Sequence, residues 1–436
     1  MFFPIVRLGD IAIVKGGKRL PKGEELTTEN TGHPYIRARD IGNGKVTFND
    51  PVFVPDNILP TIKNYTVKQD DICITIVGAN VGDVGQVPSF LNGANLTENA
   101  VKLIAIKEKC DQQYLKYALL TEHPQAEMKT VAGGAAQPKL GIYKIIELEI
   151  PLPPLEIQHR IAAILSAYDD LIENNAQRIK ALEQAAHDLY REWFVEFRFP
   201  GHDSVEMVDS GTEYGEIPQG WEVVPLGDVV AFNIGGGWGQ EQPKEKYQLP
   251  AYVIRGTDIP DARYIQVSKC PLRFHTESNL KSRRLKSGDI VFEVSGGSKG
   301  QPVGRALLIT QQIINHFDED LICASFCKLI RPASDRLTPE LLYLYLQEIY
   351  NNGVIEKYQV QSTGIINFKF AVFLEDALIV APNKTAQSKF QDFVKPIFNE
   401  IQTLGLKNNA LREARDLLLP RLVSGQLDVS NVEIPH

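Results

Sequence analysis

Cationic and amide side chains beside glycine turns are the residues of this chain best suited to chemistry. A lysine or arginine meets a phosphate, and an arginine, asparagine or glutamine can meet two atoms of a base edge at once. Within residues 1–154 these are Lys15, Lys18, Arg19 and Lys22 around Gly16-Gly17, then Arg37 and Arg39, Asn80 in GANVG, and Gln137 with Lys139 in AGGAAQPKLG. Within residues 221–381 they are Gln240 after a triple glycine, Arg255, the group Lys281, Arg283, Arg284 and Lys286, then Lys299 and Arg305, and Asn367 with Lys369. Any one alone reads as a solvated surface charge. Gathered in loops, they predict at least one nucleic-acid-contacting loop in each half.

Catalytic patterns are missing from the same stretches. An amino-methyltransferase holds its base with an acidic or Asn residue, two prolines and an aromatic, and no such tetrapeptide occurs. No G-x-x-x-x-G-K-[ST] phosphate loop occurs either, and GANVGDVG and GGSKGQPVG do not fit G-x-G-x-x-G before a helix, so both read as turns. Asp56, Glu127 and Lys129 could be assembled into a nuclease metal set, but they are far apart and have no counterpart in the repeat described below. Cys73, Cys110, Cys270, Cys323 and Cys327 lack the spacing of a zinc site and read as reduced core thiols. No metal site and no cofactor are expected on this chain.

A length of 436 residues accommodates two or three domains. The net charge of −8 argues against a basic coat and leaves room for one-sided basic patches. The opening MFFPIVRLGD has no basic stretch ahead of an apolar one, and no run of about 18 apolar residues occurs. A cytoplasmic protein without a membrane segment is expected.

The elements that would position these loops come twice. Short β-like runs separated by glycines occupy the first half, and after an acidic connector at 200–220 the pattern restarts. Leu8-Gly9-Asp10 recurs as Leu226-Gly227-Asp228 and Asp71-Ile72 as Asp289-Ile290, both at an offset of 218. A repeat of domain length means a duplicated unit.

Each half ends in a long helical pattern. Ile161, Leu165, Tyr168, Ile172, Asn175, Ile179, Leu182, Ala186, Leu189 and Trp193 keep a 4-3 spacing, the seam of a coiled coil. An offset of 229 gives the partner seam: Phe390, Val394, Ile397, Ile401, Leu404, Asn408, Leu411, Arg415, Leu418 and Leu422. Each helix would be roughly 60 Å long at about 1.5 Å per residue. Pro200-Gly201 should stop the first, Pro396 should kink the second, and Pro420 with Gly425 should end it. Related by a pseudo-twofold axis, the helices would pair antiparallel, with paired positions summing to 583 and Asn175 facing Asn408. The offsets differ by 11, a net insertion in the second unit.

The resulting expectation is an α/β (α+β) chain of two tandem homologous domains, 1–154 and 221–381. Helices at 155–199 and 382–425, a linker at 200–220 and a tail at 426–436 complete it. Two non-identical domains on a rigid rod suit an elongated target with two different half-sites, such as duplex DNA read about 34 Å apart.

IPLPPLEIQHRIAAIL, DDLIENNAQRIKALEQAAHDLYREWFVEFRFPGH, GEIPQGWEVVPLGDV and LREARDLLLPRLVSGQLDV together closely resemble the specificity subunit of type I restriction-modification systems. The resemblance runs through nearly the whole chain. It implies two target-recognition domains reading an asymmetric bipartite site, and a non-catalytic subunit serving defence against foreign DNA. Two methyltransferase subunits, optionally two restriction subunits, and double-stranded DNA are the implied partners, with methyl donor, ATP and magnesium on those subunits. Helix faces including Glu173, Arg178, Lys180, Glu183, Arg412 and Arg415 would then contribute to docking. A self-contained nuclease and a purely structural coiled-coil protein are the alternatives; the first would cleave or methylate DNA alone, and the second would bind none specifically.

Overall fold

The computed structural model describes residues 3–133, 138–296, 301–362 and 364–432. It is an α+β chain of two compact units, Met1–Ile172 with Leu411–His436, and Glu173–Ala410. Two 40-residue helices, α1 (Leu155–Phe194) and α2 (Lys384–Val423), each contribute to both units.

In the first unit six short strands form one sheet in the order 12–16, 100–105, 72–75, 84–86, 44–46, 41–42. Tyr35–Ile36 pairs parallel with Asn95–Leu96 beside it. Ile5–Arg7 lies antiparallel to Glu149–Pro151, so the chain enters the domain next to where it leaves for α1. The second unit repeats the plan. Its four-stranded sheet runs 230–235, 327–332, 290–293, 306–308, Leu249–Ile254 pairs parallel with Asp320–Cys323, and Glu222–Pro225 lies antiparallel to Leu378–Ala381 ahead of α2. The strands are rich in Ile, Val and Leu, and Ile72–Thr75 and Ile290–Glu293 are buried along their whole length, as central strands covered on both faces must be.

Helix and domain share a core within each unit. In the first, Ile161, Leu165 and Leu422 pack with Leu8, Ile72, Leu103, Tyr114 and Tyr117. In the second, Trp193, Phe194, Phe390 and Val394 pack with Trp221, Phe292, Leu341 and Phe373. A buried glutamine ties each helix to its domain. Gln158 Nε2 donates to the carbonyl oxygens of Pro153 and Lys109, and its Oε1 accepts from the Asp111 backbone. At an offset of 229, Gln387 does the same with Pro382, Arg336 and Thr338. The two side chains are 1% and 3% exposed, so every polar atom they carry must find a partner inside the protein.

The helices run antiparallel within each unit. In the second, Asn175 Nδ2 donates to Asn408 Oδ1 at 2.9 Å, Arg178 meets Glu400 at 3.0 Å, and the Trp193 and Phe390 rings lie 5.6 Å apart. Asn175, Ile179, Trp193, Phe390, Val394, Ile401, Leu404 and Asn408 are buried, while Leu182, Leu189 and Ile397 are partly so. In the first unit Ile161, Leu165, Ile172 and Leu422 are buried, and Tyr168, Leu411 and Leu418 partly. Arg415, a seam position with no apolar side chain, reaches Asp169 at 2.7 Å. Asp169 also accepts from the Tyr117 hydroxyl and faces Lys116. Burial alone would raise its pKa; hydrogen bonds from Arg415 and Tyr117, with the Lys116 charge, bring it below the usual carboxylate value.

Two helix boundaries differ from expectation. Helix α1 stops at Phe194, before Pro200-Gly201, because Phe197 turns left-handed (φ 57°) and the Arg198 amide closes back onto Glu192 O. Helix α2 is continuous through Pro396. It also passes Pro420: a proline removes one hydrogen bond, and the buried Leu422 and Val423 hold the last turn until Gly425 (φ 75°) ends it.

Candidate nucleic-acid interface

Five segments of the first unit meet through backbone hydrogen bonds at one end of its sheet. After strand 12–16 the chain turns so that Gly17 N donates to Ala100 O and Lys18 N to Leu96 O. Thr97 N donates to Ile36 O, bringing in the turn that carries Arg37. Ile76 N donates to Asn99 O, and Leu140 N to Ile76 O. Segments 16–18, 36–40, 76–80, 97–99 and 138–140 thus form a single cluster.

The second unit assembles its cluster by the same bonds. Gly236 N donates to Cys327 O, Gly237 N to Cys323 O, Ala324 N to Ile254 O, Val294 N to Phe326 O, and Phe368 N to Val294 O. Gly17 and Gly236 are required at the crossing point. A Cβ on Gly17 would lie 2.0 Å from Thr97 O, and one on Gly236 would lie 2.1 Å from Ala324 O, so no side chain fits without moving backbone.

The predicted cations divide into exposed and internally bonded sets. Lys15 and Lys18 are exposed on the cluster, with Lys18 Nζ 5.5 Å from the Tyr65 ring centre. Arg19 projects beside them and holds Glu98 at 2.7 Å; burial would raise the Glu98 pKa, but hydrogen bonds from Arg19, its own backbone and Thr97, together with the Arg19 charge, bring it below the usual carboxylate value. Lys22 is exposed further along the same loop. Asn80 is exposed in its turn, and Lys139 is exposed while its backbone pairs with Gly133 and Val77. Arg37 forks onto Asp40, with a further contact to Asp50, and Arg39 pairs with Asp50.

In the second unit Gln240 is exposed next to a backbone bridge to Phe274. Arg255 repeats the Arg37 arrangement on Asp258 at an offset of 218. Lys281, Lys286 and Lys369 are exposed. Asn367 accepts from Ser295 in the cluster, at the register position of Lys139. Three predicted arginines are engaged within the protein. Arg283 Nε donates to Gly235 O at 2.9 Å, Arg284 pairs with Asp320 at 2.6 Å, and Arg305 makes two bonds to the buried Glu293. The Arg305 guanidinium ties the segment ahead of strand 306–308 to the end of strand 290–293. Gln137 and Lys299 lie outside the described residues.

Several residues that support the two sheets had no such role assigned from sequence. Asp71 and Asp289 each cap the turn before the central strand, accepting from the Lys68 and Lys286 amides, and each takes a cation from the neighbouring strand, Lys102 at 3.1 Å or Arg331 at 2.7 Å. His275, 1% exposed, sits behind Gly239; burial lowers its pKa, the neighbouring Asn279 side chain opposes that shift, and the Arg283 charge adds to it. Aromatic Trp193, Phe194, Phe197 and Phe199 are all packed, with Trp221 against Phe194, Phe197 and Phe199. All five cysteines are buried free thiols, and burial pushes Cys110 and Cys270 up to about 12. No helix among the described residues is long and apolar enough to cross a membrane.

The sequence of the first half matches a known family model over residues 3–184, described as type I restriction modification DNA specificity domain. Beyond them, the chain resembles type I specificity subunits along nearly all of its length. It is 28% identical to the type I restriction enzyme MjaIX specificity subunit of Methanocaldococcus jannaschii, covering 98% of this chain and 94% of that protein. It is 25% identical to the MjaVIII specificity subunit of the same organism, covering 98% and 93%. The crystal structure of a type I restriction-modification S subunit from M. genitalium shares the fold, with a TM-score of 0.55 at 16% identity over 98% of this chain and 97% of that one.

Proposed function

We propose that this chain is the non-catalytic DNA-reading subunit of a type I restriction-modification complex. Domains 1–154 and 221–381 each read one half of an asymmetric bipartite target through the loop cluster described above. The observation that carries this reading is that cluster: one set of backbone bonds, made twice, presents different side chains in the two units. A conserved frame with exchanged contents suits two half-sites of different sequence. The paired helices act as spacer and offer their outer faces to two methyltransferase subunits, through which restriction subunits join. Glu173, Lys180 and Arg412 belong to those faces, whereas Arg415 turns inward to Asp169. Methyl donor, ATP and magnesium belong to the partner subunits, and the assembled complex works in the cytoplasm.

The test exchanges residues 221–381 for those of a related subunit and maps methylated adenines genome-wide in a host expressing the complex. One half-site should change while the other stays. Change in both half-sites overturns the modular reading. Methylation or cleavage by the purified chain alone, given methyl donor and magnesium, overturns the non-catalytic one.

A further inference from the structure

Asn99 and Phe326 occupy one place in the two clusters. The backbone bonds fix the equivalence: Ile76 N to Asn99 O is matched by Val294 N to Phe326 O, and Lys18 N to Leu96 O by Gly237 N to Cys323 O. From Leu96 to Cys323 and from Asn99 to Phe326 the offset is the same 227. Each residue sits at the tip of a short turn between two sheet segments, its carbonyl pinned from below. Ser295 N adds a second bond to Phe326 O at 3.2 Å, so the aromatic ring is carried on a fixed backbone.

The side chains differ in kind. Phe326 is 59% exposed, a large apolar ring on the rim of a cluster otherwise furnished with Lys369, Asn367 and glycine. The Asn99 side-chain amide makes no hydrogen bond among the described residues, although its backbone N–H is held by Thr97 Oγ1 at 3.3 Å. The amide of this half-buried residue therefore keeps two donors and an acceptor uncommitted within the described residues.

Resting on the DNA-reading function above, we infer that this turn tip is a base-reading position in both units. Asn99 hydrogen-bonds a base edge, adenine being the base an asparagine meets with two bonds. Phe326 packs on the thymine methyl, the apolar group that the groove edge offers. The two halves of the target are thus read at one structural position by opposite chemistries, polar in one and apolar in the other.

The experiment selects bound fragments from a randomised duplex library with the full-length chain and its methyltransferase partner, then sequences them. Asn99→Ala and Phe326→Ala are each compared with wild type, with complex assembly and thermal melting as folding controls. Each variant should lose preference at one base pair, by about five- to hundredfold. The two base pairs should lie in different half-sites, and the salt slope of binding should stay as in wild type. Replacing the relaxed thymine by uracil should weaken wild type and leave Phe326→Ala indifferent. A folded Phe326→Ala complex with unaltered preference at every base pair overturns the inference, as does an equal response of both proteins to uracil. If wild type itself selects no sequence, the DNA-reading function fails instead.

Discussion

The two ends of the helix pair use one seam and opposite contents. At an offset of 229, Trp193 and Phe390 of the second unit occupy the positions of Leu422 and Ile161 in the first, and Ala186 and Phe398 those of Arg415 and Asp169. The second unit's end is aromatic. Its rings extend past the helix through Phe194 to Phe197, Phe199 and Trp221, so the chain linking α1 to the next strand is packed onto the helix end. The first unit's end is aliphatic and charged, closed by Leu427 and Val429 and by the Lys116, Tyr117, Asp169 and Arg415 group. Heptad spacing sets where the seam lies. What fills it follows from what packs there: the connector after α1 in one unit, and Leu427 with Val429 after α2 in the other.

The largest test of that contrast is truncation of the seam. Trp193→Ala should destabilise the second unit by about 3–5 kcal/mol, and Leu422→Ala the first by about 2–3 kcal/mol, both read by denaturant unfolding with hydrogen exchange to localise the change. Equal effects, or loosening outside the mutated unit, would erase the distinction. Where the units agree, substitutions should agree too. Gln158→Leu and Gln387→Leu each strand two carbonyls and an amide donor, and should cost about 1–3 kcal/mol apiece; a large inequality would mean that the two joints differ.

Acid should separate the units again. The His275 pKa is depressed in the fold, so its contribution is complete above the unfolded value of about 6.5 and is lost as pH falls through the folded one. Asp169 is depressed as well, so its contribution is complete above about 3.9 and disappears only below that. Between pH 6.5 and 4.5 the protection of backbone amides relative to their intrinsic exchange rates should fall around His275 and remain unchanged around Asp169. His275→Gln should remove the first effect and Asp169→Asn the second.

The smallest effect concerns surface charge. Lys281→Ala and Lys286→Ala should each lower the salt slope of DNA binding by roughly one if they contact phosphate, with folding unchanged. Arg305→Ala leaves the buried Glu293 unpaired and should instead lower stability. A slope change from Arg305→Ala in a fully folded protein would reverse that division.

Much of this plan was legible in the residues. Heptad spacing located both helices, and the repeated Leu-Gly-Asp and Asp-Ile pairs exposed the duplication. The loop cluster was legible only as a list of loops, because its members join through backbone atoms of segments far apart in sequence. Close packing at Gly17 and Gly236 leaves no mark beyond a pair of glycines. A usable signal was overlooked for Gln158 and Gln387, which are identical residues at the helix offset, each the fourth residue of its helix. The partners of the arginines were not legible, because charge alone does not distinguish a side chain facing solvent from one held by an acid; Arg305 and Glu293 lie 12 residues apart on adjacent segments. The extra length of the second unit also became placeable. The offset grows from 218 at Ile76 and Val294 to 227 at Leu96 and Cys323, so nine of the eleven additional residues enter between those points.

The contact between Asn175 and Asn408 joins residues 233 apart. On a ribosome, α1 emerges complete while its partner is still about 190 residues from being made, or roughly 10–40 s at ordinary elongation rates. During that interval the apolar seam faces solvent and other nascent chains. An amide at its centre makes promiscuous pairing less favourable and rewards the one register in which a second amide arrives to meet it. The same asparagine that aligns the finished helices therefore also protects the unfinished chain.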